Sequence, residues 1–136
     1  MLVRLVPLVL IAAMACSTVG VSREDQPWAQ VEPTIANEII LDHKEIVVID
    51  FRPVEDFFGG LGHIAGAISL PVSMIDQRLA EVVPYRSQTI IVYSDVPEDA
   101  IRGARILTAA GFRNIVVING GIRRWMELGY KTVQSH

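Results

Sequence analysis

Thiol and imidazole chemistry have few places to arise in this chain, which holds one cysteine, Cys16, and three histidines, His43, His63 and His136. The most suggestive hydroxyl is Ser94. It follows the apolar run Ile90-Ile91-Val92-Tyr93 and leads an acidic stretch, Ser94-Asp95-Val96-Pro97-Glu98-Asp99. A serine nucleophile needs a positioned base and is often displayed on a G-x-S-x-G elbow. The context Val92-Tyr93-Ser94-Asp95-Val96 contains neither, which argues against esterase or phosphatase chemistry at Ser94. Asp95, with Glu98 three positions later, instead resembles a capping box, and carboxylates in a first turn favour the positive end of a helix. The expectation is a capped helix start worth about 1 kcal/mol. The histidines show no metal-ligand spacing, so neither a metal nor a cofactor is expected.

The elements that must position these residues come from a chain of 136 residues, 51% hydrophobic, which suits one domain of about 100–150 residues. Twelve Lys plus Arg against fifteen Asp plus Glu give a formal charge of −3, which argues against a basic nucleic-acid-binding surface. Three apolar runs without alternation, 46–49, 90–93 and 115–118, read as strands buried on both faces of a parallel sheet. Between them lie segments with helical spacing. These are 35–41, 72–83 broken by Pro84, 98–110 burying Ile101, Ala104 and Leu107 before Gly111, and 122–128 before Gly129. The alternation predicts an α/β fold with a mainly parallel central sheet flanked by helices.

Four stretches then fall in register over Trp28 to Tyr130. Asp50-Phe51-Arg52 closes a strand in D-x-R. Gly62-His63-Ile64-Ala65-Gly66-Ala67-Ile68-Ser69-Leu70-Pro71 follows G-H-I-x-G-A-x-x-x-P. Gly120-Gly121-Ile122-Arg123-Arg124-Trp125 with Gly129-Tyr130 follows G-G-x-x-x-W-x-x-x-G-Y, and the Ser94 loop lies between. Together they resemble the rhodanese homology domain, which implies a single rhodanese-like domain over residues 28–136. The resemblance also implies that a catalytic cysteine should stand where this chain has Ser94, opening a loop of backbone amides. There a thiolate takes up a sulfane sulfur and passes it on. A thiolate suits that chemistry because its pKa, about 8.5 unperturbed, can be brought near neutrality. Three carboxylates and Pro97, which has no amide hydrogen, stand where that family carries an anion-binding loop. The matched residues read as framework: Asp50 accepting bonds from loop amides, Arg52 pairing with an acidic side chain, His63 hydrogen-bonded in a loop, and Trp125 in the core.

At the N-terminus, Arg4 precedes an uncharged apolar stretch ending in small residues, the layout of a secretory signal over residues 1–15. Pro7 and its short length argue against a membrane span of roughly 30 Å. Cys16 directly after Ala13-Met14-Ala15 resembles the lipobox of bacterial lipoproteins, although Ala13 stands at the usual leucine position, and cleavage at the A-x-A site is the alternative. Residues 16–27 then read as a lipidated cysteine and a flexible tether. Ser17 after the cysteine resembles an outer-membrane sorting signal. The expectation is a lipoprotein on the periplasmic side of the bacterial cell envelope, or else a soluble periplasmic protein. Without its first 15 residues the chain carries 11 Lys plus Arg against 15 Asp plus Glu, a net of −4.

The functional expectation is a non-catalytic binding or assembly module with a protein or peptide partner and a membrane contact through Cys16. Its alternative is a sulfurtransferase working by another route, for which Cys16 is the only available thiol.

Overall fold

The computed structural model describes residues 26–42 and 44–134. The signal segment, Cys16, most of the tether, His43 and His136 lie outside the described residues. Five strands, β1 (Trp28–Val31), β2 (Ile46–Asp50), β3 (Ile68–Ser69), β4 (Thr89–Tyr93) and β5 (Ile115–Ile118), form one sheet in the order β1-β5-β4-β2-β3. Every pairing is parallel, and Asp50 stands opposite Tyr93 at the last rung between β2 and β4.

The uninterrupted apolar runs follow from burial on both faces. Ile49, Ile90, Val92, Ile115 and Val117 pack in one layer with α3 (Ile75–Arg78) and α4 (Pro97–Ala109). Val48, Ile91, Tyr93 and Ile118 pack in the other with α1 (Pro33–Asp42) and α5 (Gly121–Glu127). Gly103 brings α4 onto the sheet, because a Cβ there would lie 2.3 Å from the Phe51 ring. Gly111, at φ 93°, ends α4 in the left-handed conformation its position required.

The segment 72–83 is not one helix. It is a 3-10 turn (Val72–Met74), α3, and two more 3-10 turns, Leu79–Glu81 and Val83–Tyr85. The spacing of Val72, Ile75, Leu79 and Val82 serves tight turns as well as a helix, and all four pack on the α4 layer. Pro84 sits in the first positions of the last turn, where its missing N–H costs nothing, instead of breaking a helix. Ile101 is only partly buried; Ala100, Gly103, Ala104 and Leu107 form the inner face of α4.

Connections leaving β2 and β4 run in opposite directions, β2 toward β3 and β4 toward β5. Such a switch opens a crevice outside the carboxyl ends of the two strands, where ligands of open α/β sheets bind. The loops at that crevice are Phe51-Arg52 and Ser94-Asp95-Val96.

Candidate functional site

Ser94 is 5% exposed and starts a connection of three residues between β4 and Pro97, the first residue of α4. Proline favours the first helical position and holds the preceding residue extended, and Val96 accordingly sits at φ −103°, ψ 113° as the cap. Asp95 therefore falls one position outside the helix, and no side chain caps it; the expected capping box does not form. Glu98 and Asp99 remain in the first turn, where the dipole favours them. The amides of Asp99 and Ala100 both donate to the Val96 carbonyl, at 3.0 and 3.2 Å, and the Val96 amide donates to Ser94 Oγ at 3.4 Å. Those three amides are engaged and Pro97 has none, which reduces the donors the loop can offer an anion.

Asp95 turns toward the crevice instead. Its Oδ2 lies 3.9 Å from Arg52 Nη1, and its Oδ1 is buried without a hydrogen-bond partner among the described residues. The Arg52 guanidinium is itself 1% exposed and grips Asp50 in a two-pronged pair, Nε to Oδ1 at 3.0 Å and Nη2 to Oδ2 at 2.7 Å. Arg52 Nη2 also donates to the Gly62 carbonyl at 2.7 Å, and the Arg52 amide donates to Asp50 Oδ1 at 2.9 Å. Of the nearby loop amides it is that of Arg52 that Asp50 accepts, and the acidic side chain that pairs with Arg52 is Asp50 itself, within D-x-R. Burial opposes the Arg52 charge, but the hydrogen-bonded Asp50 carboxylate, with Tyr93 and Asp95 beyond it, outweighs burial and raises its pKa.

Tyr93 completes this cluster and carries a role that the sequence reading left out. Its ring lies 5.7 Å below the Arg52 guanidinium, and its hydroxyl accepts the Ile64 amide at 3.1 Å. Burial, then the Asp50 charge, hold that hydroxyl far above its ordinary pKa. The native state thus keeps a proton that the unfolded chain loses. Its contribution to stability is complete below about pH 10 and declines as pH rises beyond that value. Tyr93→Phe should cost about 1–3 kcal/mol, by orphaning the Ile64 amide, and should flatten the alkaline slope of stability; urea titrations across that range check both. The signal was present in the sequence, since a buried tyrosine ending a strand needs a partner for its hydroxyl.

His63 Nδ1 lies 2.9 Å from the Phe57 carbonyl, so the nitrogen donates, and the ring stacks on Phe57 at 3.7 Å. Its backbone pairs with Val133 in both directions, at 2.9 and 2.8 Å. Trp125 is 4% exposed and donates from Nε1 to the Lys131 carbonyl at 3.0 Å. Beside Ser94 lies a cavity of about 270 Å³ lined by Ser94, Pro97, Ile101, Asn119 and Gly120 among others, most of its wall apolar. Gly121, at φ 61°, lets α5 approach this loop: a Cβ there would sit 2.4 Å from the Ser94 carbonyl. The structure therefore gathers Asp50, Arg52, Ser94 and Asp95 at one crevice, while His63 and Trp125 serve the neighbouring loop and core.

The family description "Rhodanese-like domain" matches residues 33–128. An uncharacterized protein of Escherichia coli K12, YibN, is 30% identical over 87 residues, which are 63% of this chain and 59% of YibN. This chain thus spans about three-fifths of that relative's length. Among solved structures, a rhodanese-related protein from Thermoplasma volcanium superposes with a TM-score of 0.68 at 24% identity, over 79% of this chain and 99% of its own, a likeness of fold. A thiosulfate sulfurtransferase from Pseudomonas aeruginosa superposes with a TM-score of 0.64 at 25% identity, over 77% of this chain and 20% of its own.

Proposed function

The chain belongs to the rhodanese-like domain family, and from that premise we propose that it is a non-catalytic binding or assembly module of the bacterial cell envelope. A lipid on Cys16 holds it on the periplasmic side of the outer membrane, and its partner is a protein or peptide. One observation carries this reading: Ser94, which the motif resemblance puts at the family's nucleophile position, opens a loop built as a helix start, with Pro97 in place of an amide donor and Asp95, Glu98 and Asp99 around it. A hydroxyl there needs a base to activate it, and the one histidine among the described residues, His63, is bonded to Phe57 and packed against its ring. The carboxylates oppose a dianion such as thiosulfate and favour a partner bearing basic residues. The likeness to the Pseudomonas aeruginosa enzyme favours sulfur transfer as a second reading, which would have to use Cys16, the chain's only thiol.

The test restores the thiol. With Cys16→Ser already in place, Ser94→Cys should react with a neutral disulfide reagent yet show no thiosulfate-to-cyanide transfer above the reagent blank, since the loop repels the donor. Turnover by that variant would mean that anion capture survives, and would return the crevice to a small-anion site.

A further inference from the structure

Charge is divided along the strand axis of this domain. The segments after β2, β3 and β4 carry Glu55, Asp56, Asp76, Asp95, Glu98 and Asp99, against Arg52, which is buried on Asp50, and Arg78, which is paired with Glu81; the segment after β5 adds exposed Arg123 and Arg124, the latter close to Glu32 and Glu127. At the opposite edge, where strands begin, Arg86 precedes β4 and Arg113 precedes β5. The two line one cavity of about 330 Å³ together with Ser87, Gly111 and Asn114, and no carboxylate lines it. Both are exposed, and neither is in an ion pair among the described residues. Lys44 also lies at this edge, but Asp42 and Glu45 share its cavity and offset it. Leu41, 74% exposed, lies in the last turn of α1 at the same edge. The chain enters there too: Gln26, Pro27 and Arg113 line a single surface hollow.

We infer that the strand-start edge, through Arg86 and Arg113, rests on an anionic lipid surface, so that the Ser94 crevice and its carboxylates point away from the membrane. This rests on the proposed anchoring at Cys16. Residues 16–27 can extend roughly 40 Å, more than the domain's radius of gyration of about 13 Å, so the connection alone leaves orientation open. Charge decides it. Two arginines near an anionic surface favour contact by roughly thirtyfold, whereas at the other edge six carboxylates outnumber Arg123 and Arg124 and oppose the reverse placement. The domain's net negative charge makes this an orienting force on a protein already held at the surface.

The experiment couples Cys16 of the full chain to a maleimide lipid, so that it proceeds whether or not the cell acylates that residue. Hydrogen exchange is then followed on phosphatidylcholine vesicles with and without phosphatidylglycerol. Amides at 86–88 and 111–114 should slow by up to roughly thirtyfold on the anionic vesicles, those at 54–58 and 94–99 should not change, and Arg86→Glu with Arg113→Glu or high salt should erase the contrast. Equal exchange on both vesicles, protection at 94–99, or protection that survives the double substitution would overturn the inference. Failure of the anchoring reading is seen separately, as an unacylated N-terminus in the mass of the protein isolated from cells.

Discussion

Arg52→Ala should destabilise the domain by about 3–5 kcal/mol, the loss expected when one partner of a buried ion pair is removed and the other charge stays inside. Asp50 is fully buried, and Arg52 donates four hydrogen bonds to its carboxylate, three from the guanidinium and one from the backbone amide. The same guanidinium holds the Gly62 carbonyl, which ties the loop carrying His63 to the end of β2. Arg52→Lys keeps the charge but loses the planar fork and should fall between the variant and the parent. Replacing both partners together, as Asp50→Leu with Arg52→Met, should recover much of the loss, because no charge is then stranded. Denaturant titrations of the four proteins measure this, and a loss below about 1 kcal/mol for Arg52→Ala would show the pair to be far better solvated than its burial implies.

Gly121→Ala should cost about 2–4 kcal/mol, combining the left-handed backbone penalty with overpacking. Its φ of 61° disfavours any side chain, and the added carbon would meet the Ser94 carbonyl at 2.4 Å and Asp95 Oδ1 at 2.9 Å. The Ser94 carbonyl is backbone, so the loop cannot step aside without moving β4 or α4. The expected result is therefore a stability loss accompanied by altered chemical shifts at 94–97. Gly129→Ala is the control, since it also has positive φ, at 86°, but open space around it. It should show the backbone penalty alone, on the order of 1 kcal/mol. Equal losses for the two glycines would show that α5 does not brace the Ser94 loop.

The parallel sheet was readable because β2, β4 and β5 are buried on both faces, which leaves continuous β-branched runs that little else produces. β3 was not, since a strand of two residues, Ile68–Ser69, has no period to detect and exists through its pairing with β2. The breaks between Val72 and Tyr85 were hidden for a related reason: 3-10 and α turns place apolar residues at nearly the same spacing. At the site, D-x-R pointed to Asp50 and Arg52 as framework, but their bonding to each other depends on Arg52 folding back over the strand end. In the sequence Tyr93 is one more residue of an apolar run, although its hydroxyl links β4 to Ile64. Spacing alone puts Asp95 in a capping box. Pro97 moved the helix start one residue along, and the carboxylate turned to Arg52 instead.

The central claim is that this rhodanese-like domain does not transfer sulfur, and it is tested most directly on the parent chain, which keeps Cys16 as its only thiol, beside its Cys16→Ser variant, which contains none. Thiosulfate-to-cyanide transfer is measured beside a reagent blank and a sulfurtransferase that retains its cysteine. The account predicts thiocyanate formation indistinguishable from the blank. Thiocyanate formed in proportion to either protein would contradict it, and thiocyanate formed by Cys16→Ser protein and lost on Ser94→Ala would make Ser94 part of a working site.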